Sequence, residues 1–169
     1  NSTAGFDTAT AGADNVQSIA YVDGYLSLLD DNDNAIYNFT IAGVNQTGSF
    51  SPTGTGAGDG KAHAKNGSGY IVVDDSDDGL YMMTADGTNL SGGFDMKAEA
   101  ISLDNPQGIW VNSTGSIIIA DNSDNFCYHF IDQTNQTGGW GCGVGDGQAV
   151  VQMNDGTWFV LDNGNGKIE

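Results

Sequence analysis

Val72-Val73-Asp74-Asp75-Ser76-Asp77-Asp78-Gly79-Leu80-Tyr81 is an apolar run, a polar loop opened by aspartate, and an apolar return that ends on tyrosine. The same order recurs from Leu28 to Tyr37 and from Ile119 to Tyr128, and a version of equal length without the closing tyrosine runs from Val160 to Glu169. The opening aspartates Asp30, Asp74, Asp121 and Asp162 lie 44, 47 and 41 residues apart. A second marker, Asn1 to Phe6, Asn45 to Phe50, Asn89 to Phe94 and Asn135 to Trp140, begins at intervals of 44, 44 and 46. Two independent markers agree on one period, and a period of this size marks a repeat architecture.

Each repeat parses into strands by its turn residues. A first strand (Ser18 to Val22, Lys61 to Lys65, Gln107 to Val111, Ala149 to Met153) ends at Asp23-Gly24, Asn66-Gly67, Asn112-Ser113 or Asn154-Asp155-Gly156. Such pairs accept the positive φ that tight hairpins need. The second strand (Tyr25 to Leu29, Tyr70 to Val73, Ser116 to Ala120, Thr157 to Leu161) is almost continuously apolar, as expected of a strand covered on both faces. A third strand surrounds Tyr37, Tyr81 and Tyr128, and an outer one carries Phe6, Phe50, Phe94 or Trp140. Of the 22 acids only Glu99 and Glu169 are Glu, and 26 Gly and 16 Asn accompany them, so helix is strongly disfavoured. The expectation is an all-β chain: a single repeat domain over residues 1–169, built as a β-propeller of four antiparallel four-stranded blades. One such sheet cannot bury both faces, but stacked blades cover each other. The chain opens on an outer-strand marker and stops within a third strand. The last blade is therefore expected to be completed by the N-terminal strand or by a neighbouring subunit, and the chain reads as a mature or partial one.

Asn105-Pro106-Gln107-Gly108-Ile109-Trp110-Val111, followed by Gly115 to Asn125 and Tyr128-His129-Phe130, resembles an NHL repeat. That resemblance implies propeller blades. It also implies relatives that include lyases and hydrolases with metals in the central channel, for which first-strand residues must bring polar ligands to the axis. Here those positions are mostly Ile, Ala, Val and Gly with one His.

The 169 residues carry 4 Lys+Arg against 22 Asp+Glu, a formal charge of −18, and all four cations are Lys. A phosphate backbone or an anionic membrane surface would be repelled, so neither nucleic acid nor membrane insertion is expected, and no run of 18 apolar residues occurs. Adaptation to high salt is a second reading of the acidity. Asn-x-Ser/Thr sequons number seven, at Asn1, Asn38, Asn45, Asn66, Asn89, Asn112 and Asn135, where random placement of these residues gives about two or three. Four of them, Asn1, Asn45, Asn89 and Asn135, recur at one blade position. They are candidate attachment points for covalent N-glycans on an extracellular or cell-surface protein, although Asn-Gln-Thr-Gly is also good turn chemistry.

Asp74, Ser76 and Asp78 fit the first half of a calcium loop, with alternate oxygens converging on a hard cation, but no repeat supplies the later bidentate carboxylate. No cofactor is required by any motif; Ca2+ is the one candidate, set against a plain aspartate-capped turn. Cys127 and Cys142 fall on neighbouring strands of one blade and form a candidate disulfide, the other reading being two buried thiols. His63 and His129 lack metal-site spacing and read as packing or surface residues. Trp110, Trp140 and Trp158 could line a sugar site, but their blade-equivalent positions assign them to the core. The expected function is a non-enzymatic structural or assembly subunit of a surface layer or filament, homo-oligomeric or polymeric. The alternative is a secreted carbohydrate- or protein-binding propeller, and after it a lyase or hydrolase of the NHL kind.

Overall fold

The repeats form four separate antiparallel sheets that succeed one another in chain order. The structure is a computed structural model and describes residues 5–46, 57–67, 69–96, 103–131, 134–135, 140–143 and 145–168. Blade 1 consists of β1 (Val16–Val22), β2 (Tyr25–Asp30) and β3 (Ala35–Thr40), preceded by a 3-10 turn at Ala9–Ala11. Blade 2 has β4 (Gly60–Asn66), β5 (Gly69–Asp74), β6 (Gly79–Thr84) and an outer strand β7 (Asn89–Asp95). Blade 3 has β8 (Pro106–Val111), β9 (Ile117–Asp121) and β10 (Phe126–Ile131). Its outer position is filled by two short pieces, β11 (Thr134–Asn135) and β12 (Trp140–Gly141), both paired with β10. Blade 4 has β13 (Gly147–Gln152), β14 (Trp158–Asp162) and β15 (Lys167–Ile168).

The expected blade order and strand sequence are therefore present; among the described residues the outer position is seen over Asn89–Asp95 in blade 2, at Thr134–Asn135 and Trp140–Gly141 in blade 3, and at the bridge of Asn45 to Phe39 in blade 1. Of the N-terminal marker only Gly5 and Phe6 are described. The Phe6 ring lies 5.6 Å from that of Phe39 in blade 1, and Asn1 falls outside the described residues.

Alternation along each strand gives every blade a front face, toward the preceding blade, and a back face, toward the next. Between blades 1 and 2, Leu29 and Ile36 meet Tyr70, Val72, Tyr81 and Met83. Between blades 2 and 3, Ile71, Val73 and Leu80 meet Ile117, Ile119, Tyr128 and Phe130. Between blades 3 and 4, Ile118, Ala120 and Cys127 meet Val150 and Val160. The core is thus a stack of inter-blade layers rather than one central core. The inner strands pack side by side, and at Gly108 the fit is close enough that a Cβ would lie 2.7 Å from the Cα of Ala149.

The repeated aspartate holds each blade together. Asp30, Asp74, Asp121 and Asp162 are all buried. One carboxylate oxygen accepts from the loop that follows it, as from the Ser76 and Asp77 backbone N–H groups to Asp74. The other accepts from the segment entering the first strand: Asn15 N–H to Asp30, Asp59 N–H to Asp74, Asp104 and Asn105 N–H to Asp121, Gly145 N–H to Asp162. Four residues after each aspartate the backbone turns left-handed, at Asn34, Asp78, Asn125 and Gly166. Those are the residue types that tolerate this conformation.

Candidate functional site

Blade 4 presents its back face to solvent. Phe159 and Leu161 on β14 are 38% and 42% exposed, and Val151 and Ile168 beside them are exposed as well. Together with Ala149 and Val150 they line a cleft of about 380 Å3. The strand registers make Phe159 and Leu161 the counterparts of Ile71 and Val73 in blade 2, which are fully buried against blade 3. At the other end, Ile19 and Tyr21 on the front face of β1 are 62% and 66% exposed. The outer part of that face is covered by the entering segment, where Ala13 packs with Leu28, Tyr37 and Phe39. Ala57 and Leu103 sit in the same way on blades 2 and 3. The four blades are an arc with two unlike apolar ends, a back face and a front face of the kind that pair inside the chain. The sequence reading missed these surfaces. Their signal was present in the equal apolar alternation of the fourth repeat and the first.

Gln17, Ser18 and Ile19 of β1, His63 of β4, Gly108 of β8 and Gln148 of β13 line an axial cavity of about 210 Å3. His63 is buried, with Nδ1 2.9 Å from Ser18 Oγ and Nε2 3.0 Å from Ser27 Oγ. Burial pushes its imidazole down to about 4, against the opposing effect of a hydrogen bond to Ser27. It is a neutral, doubly bonded bridge between blades 1 and 2. Lys61 and Lys65 add ion pairs across the same interface, Lys61 to Asp31 at 3.3 Å and Lys65 to Asp23.

In the Asp74 loop two of the three candidate cation residues, Asp74 and Ser76, are engaged with each other within the turn. Asp74 Oδ1 accepts from the Ser76 N–H and hydroxyl and from Asp77 N–H, and Asp77 in turn accepts from the Tyr81 hydroxyl. Among the described residues no three acidic, His or Cys side chains gather as a metal site. Cys127 and Cys142 are joined in a disulfide, with Cα atoms 5.7 Å apart, between β10 and the chain just after β12.

The sequons divide by environment. Asn45 and Asn89 are exposed. Asn38 Oδ1 accepts from the Tyr70 hydroxyl at 3.1 Å, and Asn66 Nδ2 lies 3.7 Å from Met82 Sδ. Asn112 Oδ1 accepts from the N–H groups of Thr114 and Ser116 and from the Thr114 hydroxyl. Asn135 lies on β11, and Asn1 is outside the described residues. The three tryptophans, expected in the core, are all half-buried at the blade 3–4 interface: they pack on its core and also line a cavity of about 280 Å3 with His129, Gln152 and Asn112.

Neither a protein-family model nor a curated protein matches the chain. Solved structures do. A chain of a nidogen/laminin complex superposes with a TM-score of 0.70 at 17% identity, over 91% of this chain and 59% of that one. Virginiamycin B lyase from Staphylococcus aureus gives 0.58 at 13%, over 92% and 54%. The computationally designed Ika4 protein gives 0.53 at 10%, over 94% and 91%. The fold is a β-propeller, of the architecture the NHL-like blade pattern implied. The chain spans little more than half the length of the two natural propellers and nearly all of the designed one.

Proposed function

We propose that this chain is a non-catalytic, N-glycosylated, extracellular assembly subunit, joining copies of itself head to tail in a surface layer or filament. The observation that carries the reading is the pair of unlike apolar faces that blades 1 and 4 leave exposed within residues 1–169. Inside the chain a back face always meets the next front face, and blade 4 offers a back face to the front face that blade 1 exposes. A contact between two different surfaces is heterologous, and it propagates unless its rotation closes a ring. Exposed apolar patches of this kind on an otherwise acidic chain mark interaction sites. The excess of sequons and the disulfide favour an oxidising, secretory setting.

The charge of −18 opposes association of copies, so the contact strengthens as salt screens it. Light scattering across protein concentration and salt, with negative-stain microscopy of the same samples, tests the reading. Salt-promoted growth beyond dimers into fibres or sheets, abolished by Phe159→Asp with Leu161→Asp, is the expected result. A chain that stays monomeric at every salt and concentration, or forms closed rings alone, overturns it.

A further inference from the structure

The interface between blades 3 and 4 differs from that between blades 2 and 3 at one level of the sheet. Registers place Trp110, Ile118 and His129 in a row across the back of blade 3, and Gln152 beside Trp158 on the front of blade 4. The same row at the blade 2–3 interface holds Ala64, Ile71 and Met82 facing Val111 and Ile117, ordinary aliphatic packing. In blade 3 the alanine has become tryptophan and the methionine histidine, and in blade 4 the valine has become glutamine and the isoleucine tryptophan. Two flat rings and two polar side chains in these places open a cavity where the other interface is filled.

Trp140 completes the wall. It pairs in register with Cys127, and the disulfide to Cys142 fixes the segment that carries it. Its ring centroid is 6.2 Å from that of Trp158, which in turn meets Trp110 edge-on at 5.2 Å. All three tryptophans of the chain therefore share one cavity of about 280 Å3, with His129, Gln152, Asn112 and Ser116 at its polar positions. Asn112 is held by its Oδ1 bonds to the following turn, and Gln152 Nε2 donates to the Gly156 carbonyl at 3.3 Å. The walls are thus preorganised.

We infer that this cavity binds a single neutral pyranose ring. Sugar C–H faces lie against indole rings, whose apolar bodies and N–H groups suit a ligand that is greasy on its faces and polar at its rim. Amide and imidazole groups at fixed positions then choose among hydroxyl patterns. The volume suits one ring, below the usual range for larger ligands. Among the described residues no lysine lines the cavity, and the chain carries −18, which disfavours uronic or sialic acids. The site is distinct from the two end faces and does not depend on assembly.

Tryptophan emission reports on this cavity alone, because no tryptophan lies elsewhere. Titration of the intact protein with methyl β-D-glucopyranoside, methyl α-D-mannopyranoside, methyl β-D-galactopyranoside and N-acetyl-D-glucosamine should give a saturable change for at least one of them. Gln152→Ala, with an unchanged melting temperature, should weaken that sugar about tenfold, and Trp110→Phe should weaken it further. Absence of saturation with every sugar overturns the inference. So does binding that Gln152→Ala and Trp110→Phe both leave intact, or saturation by tetramethylammonium chloride but by no sugar, which would make the cavity a cation cage.

Discussion

Blade 2 and blade 4 carry the same sheet in opposite circumstances. Ile71 and Val73 are sealed beneath blade 3, whereas Phe159 and Leu161, at the matching positions, face water. The difference teaches that stability here belongs to the interfaces between blades, since each sheet alone buries too little. Within residues 1–169 blades 2 and 3 are held from both sides and blade 4 by blade 3 alone.

The largest effect should come from breaking the sealed interface. Ile71→Ala empties a site with no solvent access and should cost about 4 kcal/mol. Phe159→Ala, a larger truncation at the matching exposed position, should cost under about 1 kcal/mol in the dilute chain. Urea unfolding of both variants makes the comparison, and equal losses would mean that blade 4 is covered in solution.

His63 sharpens the same contrast by pH. Its imidazole is held near 4 inside the blade 1–2 interface and returns to about 6.5 in the unfolded chain. The unfolded state therefore takes up a proton first as pH falls. The neutral, buried histidine contributes its full stability above about pH 6.5, and roughly 3 kcal/mol is lost between there and pH 4, with no further loss from this group below. Stability against pH for the native chain and His63→Leu should differ in slope within that window. Identical slopes would place the acid sensitivity elsewhere.

The period, the strand order and the turns were legible because each is written locally, in aspartates, glycines and apolar alternation. The left-handed residue four places after each aspartate, Asn34, Asp78, Asn125 or Gly166, was not read as such, because the pattern resembled a cation loop. What a single repeat does not encode is its neighbour. Trp110 and Trp158 are 48 residues apart and read as core one at a time, and only the stacking of blades turns them toward one cavity. The end faces were hidden for the same reason: Phe159 has the sequence environment of a buried residue, and none of the four blades in residues 1–169 covers it.

Glycosylation should follow exposure rather than motif count. Asn45 and Asn89 are exposed, whereas Asn66 presents the very nitrogen that a glycan would use to Met82, and Asn112 is tied into its own turn. Peptide masses from the native source should show high occupancy at Asn45 and Asn89 and low occupancy at Asn66 and Asn112. Even occupancy over all four would mean that the sugars are added before these side chains find their partners.

The smallest expected effect is that of a chelator. A bound cation stabilises the folded state by mass action, so its removal lowers the melting temperature whenever it was bound. In the Asp74 loop, though, a cation would compete with the three hydrogen bonds that Oδ1 already accepts from Ser76 and Asp77 and the one that Oδ2 accepts from Asp59. The same arrangement of bonds recurs at Asp121, where burial alone would raise the carboxyl and hydrogen bonds from Ser123, Asp104 and Asn105 outweigh it, holding it below the usual range. A carboxylate so satisfied needs no metal to remain ionised in the interior. Melting in EDTA and in excess calcium should therefore coincide. A rise with calcium that Ser76→Ala removes would instead show that the loop opens to take the ion.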